Sequence, residues 1–344
     1  MADPTRWLVL DLDHLPRADD ALLTDARRLA GDAEPRLHDA GWARYLAAPV
    51  GTEAVDLATW TARPGVHRAW LQEDDAVFTG KLWPNGAPGF EAAGWPSTGK
   101  ELLFIAGPCA VESAVQMDEI AAACAQAGAQ WLRGGAWKPR TSPYDFQGLG
   151  ARGLEMLRDA GDRHGLRVIT EVIGTDELPE VAAASDVLQI GARNAQNFPL
   201  LRKLGAVDRP VLLKRGFGCT LRELVGAAEY VMAHGNPRVM LCERGIRSFE
   251  ASTRFTFDIN AVPLLKQTTH LPVIADPSHG TGRAPLVGPV ARAAVAAGAD
   301  GVMIEVHPDP DRALSDGRQA VGLDELPELV TGLRRVAEAV GRAL

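Results

Sequence analysis

Residues 271–309 read LPVIADPSHGTGRAPLVGPVARAAVAAGADGVMIEVHPD. The apolar run at 272–275 stops at Asp276, and a polar turn, DPSHGTG, follows. An Ala/Val-rich stretch, GPVARAAVAAG, comes next, and then a second apolar run, GVMIEVH at 301–307, carries Glu305 and His307 at its end. Apolar residues at consecutive positions mark a strand buried on both faces, as in a parallel sheet, and the stretch between has helical composition. Arg292 and Asp300 interrupt the run, so it reads as helix then strand in a soluble core and not as a membrane span.

The same unit repeats back to about residue 101. Short apolar runs lie at LLFIAG (102–107), WLRGG (131–135), RVITEV (167–172), VLQIGA (187–192), VLLKRG (211–216) and VMLCERG (239–245), with stretches such as AVQMDEIAAACAQAG between them. With 272–278 and 301–307 they make eight strands alternating with helices, which predicts an α/β fold, a closed (β/α)8 TIM barrel over 101–344. A doubly wound open sheet is the competing arrangement. Each run ends in polar or charged residues: GPC, RGGAWKPR, TEV, GARN, KRG, ERG, DPSHG and EVHP. Barrel active sites lie at the C-terminal ends of the strands, so these residues predict one reactive mouth.

Upstream, residues 1–75 differ in kind. RWLVLDL reads as a strand, ADDALLTDARRLAG as a helix, PRLHD and WARYLAAPV as strands about a turn, TEAVDLATWTA as a helix and HRAWLQ as a strand. That βαββαβ order predicts a small N-terminal α+β domain of ferredoxin-like form, with a regulatory or assembly role. Residues 76–100, rich in Gly and Pro, read as a linker or capping segment. Within them GWPSTGK (94–100) imitates the start of a phosphate-binding loop. Glu101 stands where Ser or Thr is needed, however, and a strand follows in place of a helix, so the match is rejected.

The bulk numbers exclude several classes. The chain has 344 residues, 46% hydrophobic and 23% charged, which is a globular composition. Its net charge of −8 offers no general field for nucleic acid. Four cysteines, at 109, 124, 219 and 242, contain no CxxC pair, which suits a reducing cytoplasm better than a disulfide scaffold. The N-terminus carries acidic residues in and before its short apolar run and is not a signal peptide.

Two constellations gather at the strand ends. Cys109, His279, Glu305 and Asp316 offer a thiolate, an imidazole and two carboxylates, a set that suits a divalent ion such as Mn, Fe, Co or Zn. Each alone has an ordinary structural explanation: a buried thiol, a turn histidine, a helix cap. Arg133, Lys138, Arg140, Arg193, Lys214, Arg215, Arg244 and Arg247 form a cationic funnel in an acidic chain, which predicts substrates bearing more than one anionic group. Glu171 and Asp276 are acid–base groups or carboxylates standing behind the ligands, or else counter-ions of an arginine. Cys219 and Cys242 read as packing residues.

The motifs AGPCAVES, RGGAWKPRTSPYDFQGLG, QIGARNAQNFPLL, VLLKRG, LCERGIRSFE, DPSHGTGR and MIEVHPDPDRALSDG occur in this order over about 101–323. In them the chain resembles the 3-deoxy-D-arabino-heptulosonate 7-phosphate (DAHP) synthases of the type I beta branch. These enzymes condense phosphoenolpyruvate with erythrose 4-phosphate at the start of the shikimate pathway. The resemblance implies that Lys138 contacts phosphoenolpyruvate near the reacting carbons and that Arg140, Thr141 and Ser142 hold the aldose and its phosphate. It implies that Arg133, Arg193, Lys214 and Arg244 grip phosphoenolpyruvate and that Arg247 helps with the sugar phosphate. Cys109, His279, Glu305 and Asp316 match the family's metal ligands, with manganese favoured and Cys109 and His279 counted among the catalytic groups.

The implied reaction is aldol-like: the ion polarises the aldehyde, the enol carbon attacks, water adds at the adjacent carbon and phosphate leaves. Glu171, or a hydroxide held by the metal, handles that water. Further implications are a homodimer or homotetramer, an aromatic amino acid effector on the small domain and a chorismate mutase partner. Two departures stand out. GFGCT follows Lys214-Arg215 where Met-Ser-Ala-Thr is more usual, and Gly280 replaces an alanine. Both predict a change at the mouth that bears on aldose preference. The alternatives are arabinose 5-phosphate or another aldose, a silent regulatory barrel, and a pyruvate-using aldolase. KPRTS argues against the first, the intact ligand set against the second and the number of arginines against the third.

Overall fold

The computed structural model describes residues 6–12, 20–31, 33–51, 54–73, 76–83, 90–95, 99–140 and 142–344. Its first part is a four-stranded antiparallel sheet. The strands are β1 (Arg6–Leu12), β2 (Arg36–Asp39), β3 (Arg44–Val50) and β4 (Val66–Gln72), and the helices are α1 (Asp20–Ala30) and α2 (Leu57–Thr61). The spatial order β2-β3-β1-β4, with every pairing antiparallel, is ferredoxin-like. Leu8, Leu10, Leu46 and Ala48 alternate onto one face of this sheet and pack with Leu22 and Ala26 of α1.

The second part is the barrel. Its strands are β5 (Leu103–Gly107), β6 (Trp131–Arg133), β7 (Arg167–Glu171), β8 (Val187–Ile190), β9 (Val211–Lys214), β10 (Val239–Glu243), β11 (Val273–Ala275) and β12 (Gly301–His307). Each pairs in parallel with its neighbour in sequence, and β12 closes onto β5 with Gly301 opposite Leu103 and Glu305 opposite Gly107. Closure excludes the open sheet. The helices are α3 (Ala114–Ala127), α4 (Ala151–His164), α5 (Leu178–Ala184), α6 (Phe198–Gly205), α7 (Leu221–Ala233), α8 (Ala261–Thr268), α9 (Pro277–Thr281), α10 (Ala284–Ala296) and α11 (Leu326–Ala339). Local signals set their starts. Ser113 caps α3 by accepting from the Gln116 amide, and Thr220 and Glu223 make a reciprocal capping box on α7. A two-residue strand, β13 (Val321–Gly322), extends the edge beside β12.

The interior of the barrel is filled by Leu103, Ile105, Trp131, Ile169, Val187, Leu212, Met240, Ile274 and Met303, all fully buried. Phe90 and Trp95, bridged to each other, close the end where the strands begin, and the Trp131 indole donates to the Ala93 carbonyl there at 2.8 Å. Chemistry is thereby confined to the opposite end. Between the two parts, Tyr45, Trp70, Phe78 and Trp83 pack as one aromatic cluster, and the Trp42 indole donates to the Met232 carbonyl of α7 at 3.1 Å. No helix among the described residues is long and apolar enough to cross a membrane.

Candidate active site

The predicted ligands converge. One donor atom from each of Cys109, His279, Glu305 and Asp316 lies within 4.8 Å of the others. Four different elements deliver them: the turn after β5, the short helix α9, strand β12 and the loop that follows it. The Cys109 Sγ stands 3.3 Å from Asp316 Oδ2 and 2.9 Å from Ser315 Oγ. His279 Nε2 is 3.2 Å from Glu305 Oε1. Asp316 has φ 54°, the one positive value among described residues other than glycine. A backbone held in a sparsely populated region carries strain that the surroundings must maintain, and here it turns a carboxylate toward the cluster.

The chemistry of the donors fits a divalent transition ion. Sulfur, nitrogen and carboxylate oxygens bind such ions at about 2.0–2.3 Å, so ligand atoms around one ion stand roughly 3–4.6 Å apart. The observed separations are of that order. Neighbours orient the ligands. Asp276 Oδ2 pairs with His279 Nδ1 at 2.7 Å, which leaves Nε2 for the cluster. Arg133 and Gln319 hold the two oxygens of Glu305, and Arg254 pairs with Asp316 at 3.2 Å. Burial, reinforced by the charge of Glu305, pushes the Cys109 thiol up to about 11. Burial lowers His279 from its ordinary value, against the pull of Asp276 and Glu305. Burial works to raise the Asp276 carboxyl, but His279 and Lys214 overcome it and hold the group well below the usual carboxylate range.

Beside the cluster lies a polar cavity. Its lining includes Arg133, Lys138, Arg140, Arg193, Lys214, Arg244 and Arg254, against the carboxylates of Glu171 and Asp316 alone. That excess of positive charge, in a chain of net charge −8, matches a substrate with several anionic groups. Two guanidinium nitrogens there, Arg133 Nε and Arg244 Nη1, are buried without a hydrogen-bond partner. An unpaired buried donor is costly unless a ligand completes it. Lys138 reaches the cluster as well, with Nζ 2.8 Å from the Cys109 carbonyl and 3.1 Å from its Sγ.

The loop that carries Lys138 is closed on itself. Trp137 and Gly148 form an antiparallel bridge, and the Lys138 amide donates to the Gln147 carbonyl at 2.9 Å. Gly148 has φ 93°, and a Cβ there would sit 2.1 Å from the Ala136 carbonyl, so only glycine closes this loop. At the far wall, a Cβ on Gly191 would lie 1.9 Å from Glu171 Oε1, so that glycine makes room for the Glu171 carboxylate.

The remaining predicted residues divide. Arg140 and Arg193 line the cavity, and Arg247 lies just outside it over the Phe217 ring. Ser142 is not in the lining; its hydroxyl accepts from the Tyr144 amide at 3.2 Å. Thr141 lies outside the described residues. Arg215, counted in the funnel, is buried beneath it, paired with Glu243 at 2.8 Å and Asp258 at 3.0 Å. The four cysteines are all buried free thiols. Of the two departures, Phe217 lines the cavity and Gly280 does not. A Cβ on Gly280 would meet the Phe257 ring at 2.6 Å, so its small size answers a packing need. Sequence reasoning did not single out Arg254, Gln189, Gln319, Ser315 or Phe255. Arg254 was the most accessible of these, since it lies in the same loop as Arg247.

Comparison with known proteins agrees with this fold. Residues 94–341 match the model of the DAHP synthetase I family. A phospho-2-dehydro-3-deoxyheptonate aldolase of Thermotoga maritima is 54% identical over 238 residues, 69% of this chain and 70% of that protein. A 2-dehydro-3-deoxyphosphooctonate aldolase of Nitrobacter hamburgensis is 37% identical over 252 residues, 68% of this chain and 87% of that protein. Among solved structures, a DAHP synthase of Thermotoga maritima superposes with a TM-score of 0.77 at 39% identity, covering 98% of this chain and 99% of that one.

Proposed function

The chain belongs to the DAHP synthetase I family, and from that premise we propose how its site works. It condenses phosphoenolpyruvate with erythrose 4-phosphate and water to give 3-deoxy-D-arabino-heptulosonate 7-phosphate and phosphate. The observation that supports our assignment of roles is the meeting of a four-donor cluster with a cationic cavity at one barrel mouth. Cys109, His279, Glu305 and Asp316 hold a divalent ion, manganese being our choice. When bound, the ion supplies Lewis acidity toward the aldehyde oxygen.

This chain's own groups do the rest. Arg133, Arg193, Lys214 and Arg244 bind the phosphate and carboxylate of phosphoenolpyruvate and offset its charge against that of the second anion. The two orphaned guanidinium nitrogens are the donors waiting for those oxygens. Lys138 sits between the cluster and the cavity, where it orients phosphoenolpyruvate over the aldehyde and stabilises negative charge as the carbon–carbon bond forms. Arg140 and Arg247 receive the sugar phosphate. Glu171, at the end of β7 and lining the cavity, positions the water that adds at the carbon left electron-poor by the attack.

Relatives named as 2-dehydro-3-deoxyphosphooctonate aldolases, at 37% identity against 54% for the heptonate aldolase, give the competing aldose. The Lys138-Pro139-Arg140 stretch supports the four-carbon sugar. Side-by-side kinetics decide: kcat/KM on erythrose 4-phosphate should exceed that on arabinose 5-phosphate by at least about 100-fold, on the order of 3 kcal/mol of discrimination. A reversed preference would overturn the assignment. In the same reading the small domain serves assembly of a homodimer or homotetramer, or binds an aromatic amino acid effector; its complete ferredoxin-like topology supports either use.

A further inference from the structure

Phe217 and Phe255 reach the mouth from two different loops and stack with ring centroids 5.1 Å apart and planes 10° from parallel. Cations surround the pair. The Arg244 guanidinium lies 4.2 Å from the Phe255 centroid and 5.0 Å from that of Phe217. Arg193 and Arg247 sit over Phe217 at 5.3 Å and 5.1 Å, and Arg254 lies 5.8 Å from Phe255. Burial lowers Arg244 from its ordinary value, and the like charge of Arg254 adds to this against the pull of Asp276. Elsewhere at this mouth the repulsion is answered by carboxylates: Glu305 on Arg133, Asp276 on Lys214 and Asp316 on Arg254. Arg244 and Arg247 have no carboxylate within ion-pair distance among the described residues.

A carboxylate would occupy the guanidinium N–H groups and compete with an incoming phosphate. An aromatic face attracts the cation through its quadrupole and leaves those N–H groups for a ligand. Both rings are anchored. The Arg247 amide donates to the Phe217 carbonyl at 2.8 Å, and the Phe255 amide donates to the Gly280 carbonyl, beside His279, at 3.0 Å. We propose that the Phe217–Phe255 stack is the positioning device of the anion site. Phe217 holds Arg244 and Arg247 ready for phosphate without neutralising them, with Arg193 beside them, and so sets the affinity for phosphoenolpyruvate. The proposal rests on the reading of the cavity given above.

The test compares the native enzyme with F217L, which keeps apolar bulk and removes the ring, and with F217Y and F217W, which keep a ring. Binding of phosphoenolpyruvate and of inorganic phosphate is measured by calorimetry without the aldose, alongside steady-state KM and kcat and thermal unfolding. F217L should weaken both ligands and raise KM for phosphoenolpyruvate by about five- to thirtyfold, the range expected when several cation–ring contacts are lost. kcat should change less than KM, unfolding should stay close to native, and Tyr or Trp should restore binding. Native affinity in F217L, or F217Y and F217W binding as weakly as F217L, would overturn the proposal. Because binding is read without turnover, a native enzyme that binds phosphoenolpyruvate but ignores erythrose 4-phosphate would sink the substrate assignment and leave the platform standing.

Discussion

At the scale of single residues, the account turns on Cys109. Its thiol is driven up to about 11 by burial and by Glu305, so it is protonated at neutral pH when no ion is bound. Binding an ion as thiolate must then release that proton. His279, lowered from its ordinary value, is already neutral above that value and releases none. Affinity for Mn²⁺ should therefore rise about tenfold per pH unit between pH 7 and 9, and C109S should flatten the slope as well as weaken binding. Competition titration against a chelator at three pH values checks this; an unchanged slope in C109S would remove Cys109 from the ligand set. Cys109, His279 and Glu305 were readable in the sequence because each sits at or just past a strand end, whereas Asp316 lies farther along the loop after β12 and was carried by the LSDG motif. Phe255 and Arg254 were not, because they lie in the long loop between β10 and α8, where no periodicity says which side chains turn inward.

Among the elements, the turn from β11 into α9 does most to organise the site. Asp276 caps α9 by accepting from the His279 amide at 3.0 Å, pairs with the His279 ring, and binds the Lys214 ammonium at 2.6 Å. All three contacts are lost or weakened in D276N. The substitution leaves Lys214 buried without a counter-ion, which costs on the order of 3–5 kcal/mol. It also frees the His279 ring, for which a metal affinity lower by about 10–100-fold is expected. Denaturant unfolding and metal titration read the two effects separately. Full metal affinity in a destabilised D276N would mean that Asp276 supports the fold and not the ligand. The sequence offered Asp276 as an acid–base group, as a carboxylate standing behind a metal ligand, or as the counter-ion of an arginine, and the structure sets it against the His279 ring and the Lys214 ammonium. All eight barrel strands were legible, within a few residues at their ends, because parallel strands bury both faces and read as unbroken apolar runs. Lys214 lines the cavity while Arg215, the next residue, turns to Glu243 and Asp258, because neighbouring residues point to opposite faces and chain position alone does not say which face is the mouth.

On the scale of the whole molecule, the fold separates support from chemistry. Phe90 and Trp95 plug one end of the barrel, the small sheet leans on its side through Trp42 and α7, and the reactive groups collect at the free end. The overall charge of −8 conceals this, since seven Lys and Arg side chains line that one cavity against two carboxylates. Two anionic substrates can meet there only if that cavity and the four-donor cluster act together. Phosphate release from phosphoenolpyruvate and erythrose 4-phosphate, measured before and after EDTA and then with Mn²⁺ added back, tests this most directly. The account predicts release that depends on the aldose, is abolished by the chelator and returns with the ion. Undiminished release in EDTA, from protein shown to be free of metal, would contradict it.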